Sequence, residues 1–307
     1  MWKKYGRNGE VCYGKVIPVL RFSPFVVNRM NEELRMSASF SFSGKNVFVV
    51  GGTSGINLGV ANGFARWGAN VAVASRKQEK VDAAVAQLSA VGAKSFGVTF
   101  DVRNADDVAQ GFAKVVEFFG GDIDVLISGA AGNFPARVND MSANAIRSVV
   151  EIDLLGTFHV MQASYQYLRK PGASVINISA PQAFLPMSHQ AHVCSAKAGV
   201  DMVTRTLAME WGVDGIRVNS IVPGPIAGTE GMDRLAPTPK LNQAVTDSVP
   251  LGRQGTVDDI ANAAAMLASE QAGYISGAIL PVDGGWSQSG ATTMMAKLSD
   301  MLDASPK

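Results

Sequence analysis

Three side chains have the type and setting for chemistry: Lys197, Ser179 and Asp153. Lys197 lies on a segment whose apolar residues Val193, Ala196, Val200, Val203 and Leu207 recur at the period of a helix. A lysine beside such a stripe is either solvated or held where its charge serves a ligand. Ser179 closes the β-branched run Ser174–Ser179, the end of a strand at which a hydroxyl donates to a ligand oxygen or merely caps the chain. Asp153 sits among Ile152, Leu154 and Leu155, where a carboxyl can hold a proton or position an acidic water, or act as a structural group bonded to backbone. Asp283, ahead of Gly284 and Gly285, has the same two readings, catalytic group or turn former. Asn133 and Phe134 after a strand are candidates for substrate contact, while His192 reads on its own as an ordinary histidine at a helix start. Tyr165 and Tyr167 offer phenols but read as packing residues.

A nucleotide site is written more plainly. Val50-Gly51-Gly52-Thr53-Ser54-Gly55-Ile56-Asn57-Leu58-Gly59 joins a strand to a helix. Gly51 and Gly55, with Thr53, Ser54 and Ile56 in the same loop, fit a turn that brings backbone N–H groups onto a pyrophosphate at the positive end of a helix. Asn57 stands where the third glycine of such a turn belongs. After the second strand, Ser75, Arg76 and Lys77 present a hydroxyl and two cations where an NAD site would present a carboxylate, which suits a 2′-phosphate and predicts NADPH. Asp101 and Val102 end the third strand beside the expected adenine. Ala130, Ala131 and Gly132 follow the fourth, small residues where a cofactor passes close.

The frame that must position these groups is legible in the alternation of short β-branched runs with helical patterns. Strands are predicted at Asn46–Val50, Asn70–Ala74, Ser95–Phe100, Val125–Ser128, Ser174–Ser179, Arg217–Val222 and Ile279–Val282. Seven strands with helices between them specify one Rossmann-like, doubly wound α/β domain with a parallel sheet, here over residues 44–290. Residues 224–252, with Pro225, Pro237, Pro239 and Pro250, read as neither helix nor strand and are expected to form a substrate lid. Residues 1–43 read as a poorly ordered extension, with a targeting leader as the alternative, and 291–307, with Met294, Met295 and Met301, as a tail. The C-terminal Ser305-Pro306-Lys307 is not a Ser-Lys-Leu address.

Composition narrows the function classes. A chain of 307 residues, 47% hydrophobic and 17% charged with a net charge of +1, builds no field for nucleic acid or an anionic membrane. Cys12 and Cys194 make no disulfide framework, and His159, His189 and His192 lack the companions of a metal site. No apolar run reaches the roughly 18 residues of a membrane span. A cytoplasmic protein with a small-molecule substrate is the expectation.

From Lys45 to Gly285 the chain resembles the short-chain dehydrogenases/reductases, and within them the 2,4-dienoyl-CoA reductases of the peroxisomal and bacterial type. The resemblance rests on Gly51 to Ile56, Ala74-Ser75-Arg76-Lys77, Asp101-Val102-Arg103, Ala130-Ala131-Gly132-Asn133-Phe134, Ser195-Ala196-Lys197-Ala198-Gly199-Val200 and Pro223-Gly224-Pro225-Ile226 followed by Gly228-Thr229-Glu230-Gly231. It departs at Val50 and Asn57 in the glycine turn, and at Gly129-Ala130, where ordinary members carry two asparagines. It implies that Lys197 contacts the nicotinamide ribose, and that Pro223, Gly224 and Ile226 also border the cofactor. Only through this resemblance does His192 become a candidate for substrate contact. It also exposes a loss: four residues before Lys197, where carbonyl reduction uses a tyrosine to protonate oxygen, this chain has Val193.

Reduction of a conjugated dienoyl thioester needs no such phenol, because the proton goes to carbon. The resemblance implies NADPH-dependent chemistry of that kind in unsaturated fatty acid degradation, with Ser179 donating to the thioester oxygen, Asp153 and Asp283 as the catalytic aspartates, a water linked to Asp153 as proton source, and a homotetramer. Gln182 matches the position where the mitochondrial type has its tyrosine. Two alternatives stay open: another short-chain reductase of a keto or enoyl substrate, with His192 or Tyr165 as acid, or a catalytically silent NADPH-binding protein.

Overall fold

The computed structural model describes residues 40–289. Met294, Met295, Met301 and most of the expected extension lie outside them. The strands are β1 (Asn46–Val50), β2 (Asn70–Ser75), β3 (Ser95–Thr99), β4 (Val125–Ser128), β5 (Ser174–Ile178), β6 (Arg217–Pro223) and β7 (Ile279–Val282). Each lies within one residue of its predicted bounds. All pair in parallel, in the order β3-β2-β1-β4-β5-β6-β7. The order reverses between β1 and β4, the crevice where such sheets bind ligands at their carboxyl edge.

The helices are α1 (Gly55–Arg66), α2 (Gln78–Ala90), α3 (Ala105–Phe119), α4 (Ala143–Val149), α5 (Gly156–Ser164), α6 (Ala191–Glu210), α7 (Glu230–Leu235), α8 (Pro239–Asp247) and α9 (Val257–Ala268). Strand side chains alternate faces, so Val47, Val49, Val71 and Val73 pack with Phe64, Ile260 and Ala264 of α1 and α9. Phe48, Val50, Ala72 and Ala74 pack on the other face with Val108 and Phe112 of α3 and Val160 of α5. The Phe48 and Phe112 rings meet edge to face, centroids 4.9 Å apart. Both faces of the central strands are therefore covered, which is why their sequences read as continuous apolar runs. Proline is tolerated at Pro281 because β7 is an edge strand.

Two expectations shift. Phe42 is buried, its N–H donates to Trp67 O at 2.8 Å, and Phe40 packs on the Trp67 ring, so the core begins at Phe40 rather than at residue 44. The segment 224–252 is not structureless, since it holds α7 and α8. Pro239, read as a breaker, occupies the first turn of α8 behind the N-cap Thr238, where a missing N–H costs nothing.

Candidate active site

The carboxyl edges of β1 to β6 border a groove of about 840 Å³. The turn after β1 forms one wall. Gly51 has φ +78, and a Cβ there would fall 2.9 Å from Ala130 N, so both the backbone conformation and the close approach require glycine. Ser54 is the N-cap of α1 without a side-chain capping bond, which leaves the first N–H groups of the helix for a ligand. Ser75, Arg76 and Lys77 border the far end, joined by Lys80, a third cation one turn further along that the sequence reading did not single out. Asp101 and Val102, Ala130 to Gly132, and Pro223, Gly224 and Ile226 complete the groove. Every residue expected to hold the cofactor borders this one cavity. The Arg103 guanidinium, bonded to Asp101 at 2.6 Å, holds that carboxyl below the usual carboxylate range, with Arg76 adding to the effect.

The reacting end of the groove is built from three elements. Asp153 belongs to a π-helical segment, Val150–Leu155, between α4 and α5, and is 1% exposed. Its Oδ1 accepts from Gly132 N at 2.7 Å, and its Oδ2 faces Lys197 Nζ at 3.4 Å, a buried ion pair in which the lysine side chain is 7% exposed. Lys197 Nζ also donates to Ile178 O, at 3.1 Å. Asp153 Oδ2 keeps no hydrogen bond among the described residues. Ser179, one residue past β5, places a buried hydroxyl in the same cavity, beside the Asp201 carboxylate but without a well-formed hydrogen bond. Val193 borders the groove where a phenol would stand over Lys197, and it is 2% exposed against Val149 and Ala196. Gln182 borders it too, but its amide donates to Gln190 at 2.6 Å.

Asp201 is a functional neighbour that sequence reasoning missed, although its spacing of four from Lys197 puts both on one face of α6. It is 4% exposed and accepts from Ser220 Oγ at 3.2 Å. Burial pushes its carboxyl up, against the hydroxyls of Ser179 and Ser220 and the charges of Arg205 and Lys197. A carboxyl with a raised folded pKa binds its proton more tightly folded than unfolded, so its contribution to stability falls as pH rises from about 4 through the folded value. Asp201→Asn is therefore expected to gain in melting temperature over the parent at about pH 8 and to gain less at about pH 4. An equal difference at both pH values in thermal melts would contradict this.

Other candidates stand apart. Asp283 accepts from Gly285 N at 2.9 Å and Ser287 N at 2.8 Å and borders a neighbouring cavity with Pro225 and Arg253. These bonds hold its carboxylate in the turn ahead of Gly284 and Gly285. His192 is buried with both ring nitrogens unpartnered and packs against the Phe134 ring, centroids 4.6 Å apart at a tilt of 45°, behind the groove wall that Asn133 borders. Tyr165 donates to Asp214 at 2.6 Å and packs on Trp211, away from the groove. Among the described residues no cluster of His, Cys, Asp or Glu could hold a metal, and no helix is long and apolar enough to cross a membrane.

A parallel sheet with a glycine turn at its switch point and a buried lysine at the carboxyl edge defines a dinucleotide-binding oxidoreductase fold. Residues 50–287 match the family described as enoyl-(acyl carrier protein) reductase. The chain is 39% identical over 252 residues to the peroxisomal 2,4-dienoyl-CoA reductase [(3E)-enoyl-CoA-producing] of Arabidopsis thaliana, covering 79% of this chain and 84% of that one. It is 41% identical over 244 residues to the protein of the same description from Pongo abelii, covering 78% and 83%. A short-chain dehydrogenase from Bacillus anthracis, solved by crystallography, superposes with a TM-score of 0.71 at 38% identity, covering 79% of this chain and 96% of that one. The chain belongs to the short-chain dehydrogenase/reductase family, whose members bind a nicotinamide cofactor.

Proposed function

We propose that this protein is an NADPH-dependent 2,4-dienoyl-CoA reductase of unsaturated fatty acid degradation. The observation that carries the reading is the replacement of a phenol over Lys197 by buried Val193, with the lysine paired instead to Asp153. The descriptions of the relatives point the same way.

The cofactor fits the groove on structural grounds: a glycine cradle that a Cβ would fill, uncapped helix N–H groups for the pyrophosphate, and Arg76, Lys77 and Lys80 for a 2′-phosphate. When bound, NADPH supplies hydride. For a product with its double bond between the β and γ carbons, hydride adds at the δ carbon, charge collects on the thioester oxygen as a dienolate, and the α carbon takes a proton. This chain's part is electrostatic and acid–base. Ser179 Oγ donates to the thioester oxygen, and Lys197 adds positive charge beside it. Asp153, paired with Lys197 through Oδ2, orients a proton-donating water through that otherwise unpartnered oxygen. Asn133, Phe134 and His192 are assigned to the acyl pocket, and α7 and α8 to its lid.

Loss of NADPH absorbance on adding a 2,4-dienoyl-CoA tests the reading, and a folded, NADPH-bound protein without turnover above background would sink it. Arg76→Ala/Lys77→Ala is expected to raise the KM for NADPH roughly 10- to 100-fold while leaving that for NADH within a few fold. Parallel KM measurements decide. Exposed Leu155 and Phe158 near α5, and Met202, Met209 and Val213 on and after α6, support the homotetramer as part of the same proposal. Cys194 stands as a free thiol, in keeping with a cytoplasmic setting.

A further inference from the structure

We propose that Asn57 is a positioning residue for the cofactor groove: its side-chain amide, seated in the space left by Gly129, pins the loop after β4 against the glycine turn. Asn57 lies in the first turn of α1, is 8% exposed, and donates from Nδ2 to Gly129 O at 2.8 Å. Gly129 is not in the left-handed region, so its backbone alone would accept a side chain. What excludes one is Asn57. A Cβ on Gly129 would fall 2.4 Å from Nδ2, 2.6 Å from Oδ1 and 2.8 Å from Cγ of that amide. Two positions 72 residues apart in sequence form a single piece of packing.

The other end of the loop is pinned as well, by Gly132 N donating to Asp153 Oδ1 at 2.7 Å. Between the two anchors, Ala130 and Ala131 border the groove, and the turn passes so close that a Cβ on Gly51 would meet Ala130 N at 2.9 Å. Slack at the Gly129 anchor is therefore transmitted to the peptides that face the dinucleotide, before any effect on the sheet core. The amide's orientation is fixed, because turning it would set Oδ1 against Gly129 O. Oδ1 is thereby left buried in the groove wall with no partner among the described residues, an acceptor that a donor arriving with the cofactor or its hydration would satisfy.

The test measures NADPH dissociation constants by fluorescence titration and thermal unfolding of the ligand-free, full-length chain for Asn57→Ala, Gly129→Ala and the double variant. NADH is titrated in parallel, so that a wrong cofactor preference shows in the parent and not as an effect of the substitutions. Asn57→Ala is expected to raise the Kd roughly 5- to 10-fold, with the titration run well below its unfolding temperature. Gly129→Ala alone is expected to harm both affinity and stability, because its methyl group collides with the amide. In the double variant the collision is gone, so both readouts return to those of Asn57→Ala alone. The proposal is overturned if Asn57→Ala lowers the unfolding temperature but binds cofactor as the parent does, or if Gly129→Ala does equal harm with and without the Asn57 amide.

Discussion

Asp153→Asn is expected to lower turnover of a dienoyl-CoA by roughly two to four orders of magnitude, the range typical of a lost acid–base group, and to leave NADPH binding intact. The two consequences separate because the two oxygens of Asp153 have separate tasks. An asparagine keeps an Oδ1 to accept from Gly132 N, so the loop lining the cofactor groove stays anchored. It loses the negative charge opposite Lys197 and can turn an amide N–H toward the space that the unpartnered Oδ2 faces. A structural aspartate would give the opposite pattern: lowered melting temperature, with turnover per folded molecule close to the parent's. Steady-state kinetics with a cofactor titration separate the outcomes, and a kcat within twofold of the parent would remove Asp153 from the mechanism.

The frame was legible in the sequence because each of its signals is local. A short apolar run rich in β-branched residues and closed by glycines, such as Val47-Phe48-Val49-Val50, reads as a strand buried on both faces, and the glycine turn declares itself by lying between a strand and a helix. For the same reason the residues that border the groove were readable: its walls are the ends of consecutive strands, fixed by topology once the strands are known. Facts that depend on pairing across the sheet were not readable. Nothing in the run Glu151 to Leu155 says that it is π-helical, or that Asp153 faces Lys197. Asp283 illustrates the converse, since a glycine-flanked aspartate can close a turn or face a ligand, and its donors, Gly285 N and Ser287 N, are not legible in the sequence. Asn57 looked like a flaw in the glycine turn until its amide was seen to fill the place beside Gly129. Pro239 misled in a simpler way, through its position in a helix rather than its presence in a loop.

Lys197→Met is expected to destabilise the protein by about 3–5 kcal/mol, a drop in melting temperature on the order of 10 °C for a chain of this size. Hydrophobic volume is kept, so the loss does not come from a cavity. It comes from Asp153, which at 1% exposure would be a buried charge without a counter-ion. Removing the second charge as well should restore most of the stability: Lys197→Met/Asp153→Leu is expected to melt near the parent, since replacing a whole buried pair by apolar groups is often neutral. Both variants lose turnover, so activity alone cannot show whether the lysine and the aspartate act as a unit. The stability cycle can. Additive losses would mean that the 3.4 Å approach of Lys197 and Asp153 carries no energetic coupling, and the site would then be two independent groups that happen to face one groove.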